Sequence, residues 1–194
     1  MKAMVSVAVL GLVLCVARSV SADTLTFDDL TPTSSYGAIP DGYGGFNWST
    51  DFYYINRHYH SGSGYDLGTV SGEYSAFNAF ANVVSASQSD FDFNGAYLTS
   101  AWDSSLYIDL KGFKDGNVIY SQTVVVSNTA PTWFTFDFLN IDTLQIASRG
   151  SQFVMDNMLY NDGSEVPAPS AIIGMIGLGA VGLVGAVRRR KQAA

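Results

Sequence analysis

The feature that most constrains this chain is where its aromatic rings fall. All 11 Tyr, 12 Phe and 3 Trp lie between Phe27 and Tyr160, a stretch in which Glu occurs once, at Glu73. Strand formers are abundant there and strong helix formers scarce, which predicts a β-sheet fold. Leu106, Ile108 and Leu110 alternate with Tyr107, Asp109 and Lys111, and Phe134, Phe136 and Phe138 alternate with Thr135 and Asp137. That is the period of two expected of half-buried strands. Asp115-Gly116 separates the first run from another at 118–126 and suits a type I′ turn. Asn94-Gly95 carries the same signal between Phe91-Asp92-Phe93 and 96–102, and predicts a second hairpin turn there. Further strands are expected at 24–28, 52–56, 74–80, 143–147 and 153–160, about nine or slightly more in all. Turn signals every ~8–12 residues then point to an all-β, two-sheet β-sandwich, jelly-roll-like, in one domain.

The two ends have a different composition. All 17 acidic residues lie within 23–165, against four basic ones there (Arg57, Lys111, Lys114 and Arg149), a net charge of -13. A body so acidic repels phosphate, so nucleic acid is not an expected partner. The one cysteine, Cys15, falls before the body, which therefore has no thiol chemistry. Lys2 precedes an apolar stretch at 5–16, and Val20-Ser21-Ala22 presents small side chains where a signal peptidase reads them. Residues 1–22 are accordingly expected to be a signal peptide, and 23–165 the folded domain. Residues 171–187 form an uncharged run of 17, which as a helix reaches roughly 26 Å, close to a ~30 Å hydrocarbon core. Arg188, Arg189, Arg190 and Lys191 follow at once. Positive charge of this kind stays on the cytoplasmic side, so the body is expected outside the inner membrane.

Val166, Pro167, Ala168, Pro169 and Ser170, then a Gly-rich apolar helix, then the basic end, occur in that order. The sequence over 166–194 resembles the PEP-CTERM sorting signal, with Ala168 standing where that family has Glu. The resemblance implies recognition by an exosortase, a membrane protease or transpeptidase. It further implies delivery to the cell surface or extracellular matrix of a Gram-negative bacterium, in association with exopolysaccharide and biofilm.

Catalytic chemistry has little to draw on in the body. Neither Gly62-Ser63-Gly64 nor Val70-Ser71-Gly72 completes a G-x-S-x-G elbow, and the histidines number two, His58 and His60. Those two would share one face if 54–60 were a strand. The stretch 36–48 interleaves Gly37, Gly42, Gly44 and Gly45 with Tyr36, Tyr43, Phe46 and Trp48. Glycine permits an exposed bend, and rings on it stack on the apolar face of a sugar. Tyr43, Trp48 and Trp102 are the preferred carbohydrate contacts, with Tyr59 and Tyr65 as further candidates. Gly112-Phe113-Lys114-Asp115-Gly116 and Phe153-Val154-Met155-Asp156-Asn157 resemble the late strands of galactose-binding-like jelly rolls. That resemblance implies a structural calcium where an early acidic loop meets the last strand, with Asp28, Asp29, Asp156 and Asn157 the matching residues. The expectation is a non-enzymatic exported surface or matrix protein. A specific lectin-like carbohydrate-binding module and a secreted glycosidase or esterase are the alternatives.

Overall fold

In the computed structural model ten strands follow one another among the described residues, and every pairing between them is antiparallel. They are β1 (Asp23–Leu25), β2 (Tyr36–Ala38), β3 (Asn47–Trp48), β4 (Phe52–Asn56), β5 (Tyr74–Asn78), β6 (Val84–Ser100), β7 (Leu106–Lys114), β8 (Asn117–Val126), β9 (Thr132–Ser148) and β10 (Phe153–Asn161). The structure describes residues 22–30 and 34–161. The expected signal peptide up to Ser21 and the whole of the expected sorting tail lie outside the described residues. Among the described residues no helix is long and apolar enough to cross a membrane.

The hydrogen-bonded order is β2-β4-β5-β10-β6-β9-β7-β8, with β1 added to β10 and β3 to β6. The ladder is therefore continuous, where two separate sheets were expected. β6 and β9, 17 residues each, make it fold over. Their mutual register shifts three times between Ser87 and Gly95. Left-handed residues sit at this bend, Asp90 (φ 52°) on β6 and Asp137 (φ 50°) and Asn140 (φ 54°) on β9. Asp and Asn take that conformation at lower cost than most side chains. On one side of the bend the sheet runs on into β7 and β8, and on the other into β10, β5 and β4. Leu110 and Val124 from the first part share one buried cluster with Phe52 and Met155 from the second. A flat sheet cannot bury all four together, so the two halves face each other across a common core. Stacked rings fill it, Phe93 on Phe136 at 5.0 Å and Tyr120 on Phe138 at 5.0 Å.

Asp115 (φ 51°) and Gly116 (φ 76°) both adopt positive φ, as a type I′ turn between β7 and β8 requires. Asn94-Gly95 makes no turn. It lies inside β6, which runs unbroken where two strands had been expected, and the runs at 134–138 and 143–147 likewise merge into β9. Gly95 is needed for proximity: a Cβ there would come 2.6 Å from the Phe134 carbonyl oxygen and 2.5 Å from the Trp133 ring. A backbone atom at that distance cannot swing aside. Gly95→Ala should therefore cost about 1–3 kcal/mol by overpacking, read as a lower urea midpoint at unchanged slope.

Candidate functional site

Antiparallel sheets usually turn one face to water. On β4 and β5 both faces are apolar. Phe52, Tyr54 and Ala76 point into the main core, while Tyr53, Ile55 and Phe77 alternate with them onto the opposite face. A short cover closes part of that second face. Asn56 caps a 3-10 turn at Arg57–His60 by accepting the His58 N–H (3.0 Å), and Ser63 caps a one-turn helix at Gly64–Leu67 by accepting the Tyr65 N–H (3.2 Å). Asp66 ties the two together, accepting from Arg57 Nε at 3.0 Å and from the Gly62 N–H at 3.0 Å. Those bonds, the Gly62 amide first, hold its carboxyl below the usual range. Gly64 lets this cover dock, because a Cβ there would stand 1.8 Å from the Ser100 carbonyl oxygen.

What the cover leaves open is a cleft of roughly 250 Å³. Ile55, Phe77 and Ala79 form its apolar floor with Tyr65, whose hydroxyl burial pushes to a higher pKa. Around the mouth stand Tyr36, Tyr59, Phe80 and Trp102, exposed by 46%, 48%, 75% and 46%. The rings support one another. His60 meets Tyr59 at 4.6 Å, Trp102 at 5.2 Å and Tyr65 at 5.6 Å, and Tyr36 meets Tyr59 at 5.0 Å. Trp102 is oriented through Nε1, which donates to Gln152 Oε1 at 2.9 Å. Among the described residues no Asp, Glu, Lys or Arg lines the cleft. Its chemistry is that of a neutral aromatic cradle with His60, Gln152 and tyrosine hydroxyls for hydrogen bonding.

Of the three preferred carbohydrate contacts, Trp102 is in this cleft. Trp48 is not: it is 6% exposed, meets Phe52 at 4.9 Å and Phe46 at 5.6 Å, and donates from Nε1 to the Tyr43 carbonyl at 2.9 Å. That placement corrects the sequence expectation, since the Gly-rich stretch folds Phe46 and Trp48 inward to cap the main core, while Tyr36 at its start stands at the cleft. Tyr43 is half-buried, and its hydroxyl donates to Asp29 Oδ1 at 2.7 Å. Burial, then this bond, raises its pKa. Tyr59 and Tyr65 do reach the cleft, whereas Phe80 and the apolar floor went unrecognised. Residues 57–60 form a 3-10 turn, so His58 and His60 do not share a strand face.

Three of the four expected calcium residues come together around the loop at 70–74, and Asp29 turns away to Tyr43. Asp156 Oδ2 accepts the Val70 and Ser71 N–H groups (2.7 and 2.9 Å), and Asp28 Oδ1 accepts those of Glu73 and Tyr74 (2.8 and 3.0 Å). Ser71 Oγ donates to Asn157 Oδ1 at 2.7 Å. As placed, these oxygens serve protein donors, and calcium, which takes ~6–8 oxygens, would need carbonyls or water besides them. Among the described residues no group of three or more His, Cys, Asp or Glu is positioned to hold a metal ion.

No family model matches the chain, and no curated protein sequence matches it. Among solved structures it is similar to a DUF4465 family protein from Bacteroides caccae, at 13% identity and a TM-score of 0.49, over 72% of this chain and 98% of that one. It is similar to CBM51 from Clostridium perfringens GH95 in complex with methyl-galactose, at 8% identity and a TM-score of 0.34, over 72% and 99%. Another is the CBM22-1-GH10 portion of Clostridium thermocellum xylanase 10B complexed with xylohexaose, at 9% identity and a TM-score of 0.37. That overlap spans 74% of this chain and 28% of the other. Likeness at this level assigns no ligand, and the cleft's own chemistry has to carry the function.

Two outcomes follow from these placements. Trp48→Ala should cost about 3–5 kcal/mol of stability, as for a core ring, and Trp102→Ala about 1 kcal/mol or less, both measured by chemical denaturation. The Asp156 carboxyl is fully buried, and burial pushes its pKa from 3.8 up to about 6 against the pull of the Ser71, Asn157 and Val70 amides. A raised value means that the folded protein holds the proton more tightly than the unfolded chain. This contribution to stability is complete below about pH 3.8 and lost as pH rises through about 6. Relative to Asp156→Asn, the parent should lose about 2–3 kcal/mol across that window, measured in chelator so that no divalent cation contributes.

Proposed function

We propose that the chain is an exported, non-enzymatic surface or matrix protein that binds neutral or cationic glycan in the aromatic cleft. The observation that carries this reading is the set of four exposed rings, Tyr36, Tyr59, Phe80 and Trp102, around a cleft that among the described residues is lined by no Asp, Glu, Lys or Arg. A pyranose has an apolar face that stacks on such rings and hydroxyls that His60 and Gln152 can bond. Binding is favoured over hydrolysis because glycoside cleavage uses a pair of carboxyls, and among the described residues the lining supplies none. The net charge of -13 over 23–165 disfavours polyanionic glycans.

The address belongs to the same proposal. Signal peptidase removes 1–22, the span at 171–187 holds an inner-membrane intermediate, and an exosortase-like enzyme acts on the tail from Val166. The body is then delivered beside exopolysaccharide. Intact-mass analysis of material recovered from the cell surface should find Asp23 as the first residue, and a chain still beginning at Met1 would overturn the export signal.

The binding test uses the full chain in a non-glycosidic detergent such as an amine oxide. Calorimetry against neutral gluco-, manno-, galacto- and xylo-oligosaccharides should show saturable binding to at least one, with none to polygalacturonate. Trp102→Ala should weaken it by about five-fold or more, the equivalent of roughly 1 kcal/mol of stacking. Absence of binding to every neutral glycan, or an unaffected Trp102→Ala, would overturn the cleft as a glycan site and leave a purely architectural matrix role.

A further inference from the structure

Phe80 is the most exposed large hydrophobic side chain among the described residues, at 75%. Its backbone is as unusual as its exposure. Phe80 has φ 59° and ψ 15°, and Ala81 follows at φ 57°. Two successive non-glycine residues in the left-handed region are costly, because each Cβ crowds its own backbone carbonyl. Phe27 (φ 63°) offers the comparison. It carries the same strain, but it is 0% exposed and meets Trp48 at 6.1 Å and Tyr43 at 5.8 Å, so core packing offsets the conformation. Phe80 has no such return from folding.

The turn is nonetheless held from both sides. Before Phe80, the buried Asn78 donates from Nδ2 to the Asn82 carbonyl (3.0 Å) and to Ser148 Oγ (2.8 Å), and its Oδ1 accepts the Phe153 N–H (2.8 Å). The Ala79 N–H donates to the Asp51 carbonyl at 2.9 Å. After Phe80, Asn82 Nδ2 donates to Asp51 Oδ2 at 2.8 Å, and its own N–H to the Ala79 carbonyl at 3.1 Å. These bonds reach β9, β10 and the loop before β4. They fix a turn whose product is one phenyl ring at the mouth of the cleft, with Ala79 beneath it in the floor. Strain and an exposed ring, both unfavourable to folding and both rigidly kept, are the combination seen where backbone geometry serves a ligand.

We infer that Phe80 is a sugar-contacting residue, a preset lip against which the apolar face of a neutral pyranose packs. This inference rests on the reading of the cleft as a glycan site. Because the turn is fixed before the ligand arrives, little ordering is left to be done on binding, which raises affinity without an added contact. The arrangement also separates what the ring does for the ligand from what it does for the fold. Glycine takes positive φ without strain, so Phe80→Gly removes the ring and relieves the backbone together.

The experiment measures melting and affinity side by side on the full chain in amine-oxide detergent, for the parent, Phe80→Gly, Phe80→Tyr and Trp102→Ala. The ligands are neutral gluco-, manno-, galacto- and xylo-hexasaccharides. Phe80→Gly should melt at the parent's temperature or a few degrees above it and bind at least about five-fold more weakly. Phe80→Tyr, which keeps the aromatic face, should bind within about two-fold of the parent. Should Phe80→Gly bind like the parent while Trp102→Ala does not, the cleft remains a glycan site and the role given to Phe80 is wrong. A Phe80→Gly variant that melts several degrees lower makes the ring a packing element and overturns the inference whatever its affinity. A parent that binds none of the hexasaccharides overturns both readings.

Discussion

The pairing of β6 with β9 is the interaction on which the rest of the fold depends. Two strands of 17 residues stay hydrogen-bonded through three shifts of register, and in bending together they bring β7 and β8 round to face β10 and β4. Straight strands of that length would leave Phe93, Phe136 and Phe138 on an open surface. Bent ones bury Phe93 completely and leave the other two at 8% and 3% exposure, each such ring contributing about 1.5–3 kcal/mol. Asp90, Asp137 and Asn140 carry the left-handed backbone of the bend where they are solvated. The conformational cost falls on short polar side chains and the gain on the aromatic ones beside them.

The second constraint comes from β4 and β5. Their ladder places Tyr53 opposite Phe77 on the face away from the main core, and a sheet apolar on both faces has to be covered twice. The covering segment at 57–67 is too short to bury all of the second face, and it is fastened at points: the Arg57 to Asp66 ion pair, the Ser63 cap, and Gly64 pressed onto the end of β6. The uncovered remainder is the cleft. Its aromatic mouth is thus a consequence of an incomplete second layer, held by the bonds that fasten the cover and by the Trp102 to Gln152 bond within the lining.

Much of this was legible in the sequence wherever one local signal had one structural meaning. Alternation located β7 and the first part of β9, and Asp115-Gly116 marked the turn between β7 and β8. Asn94-Gly95 misled because glycine has two uses, positive φ and close approach, and only the neighbouring strand, absent from the local sequence, tells them apart. Trp102 was a preferred contact although the run at 96–102 put it inside a strand, and β6 ends two residues before it, at Ser100. Trp48 was misplaced because a Gly-rich aromatic stretch reads alike whether its rings cap a core or meet solvent. Phe80 carried no local signal at all, for its left-handed backbone is imposed by Asn78 and Asn82 bonding to residues as distant as Phe153. The clustering of Asp28, Asp156 and Asn157 likewise depends on β10 closing against the loop at 70–74.

Charge and aromaticity are segregated in a way that bears on ligand choice. Of the acidic residues in the segments beside the cleft, Asp66 is engaged by Arg57 and Gly62 and Asp51 by Asn82, while Asp103, next to Trp102, is exposed. At physiological ionic strength such charges are screened over roughly 8 Å. On the proposed reading, a neutral sugar would meet the rings with little electrostatic cost, whereas a polyanion would meet the summed field of the whole body as it approached. Added salt should then weaken the rejection of acidic glycans and leave stacking nearly untouched, since dispersion and apolar burial do not depend on counterions. On the proposed glycan reading, selectivity of this kind belongs to the surface as a whole, and affinity to the few rings in the cleft.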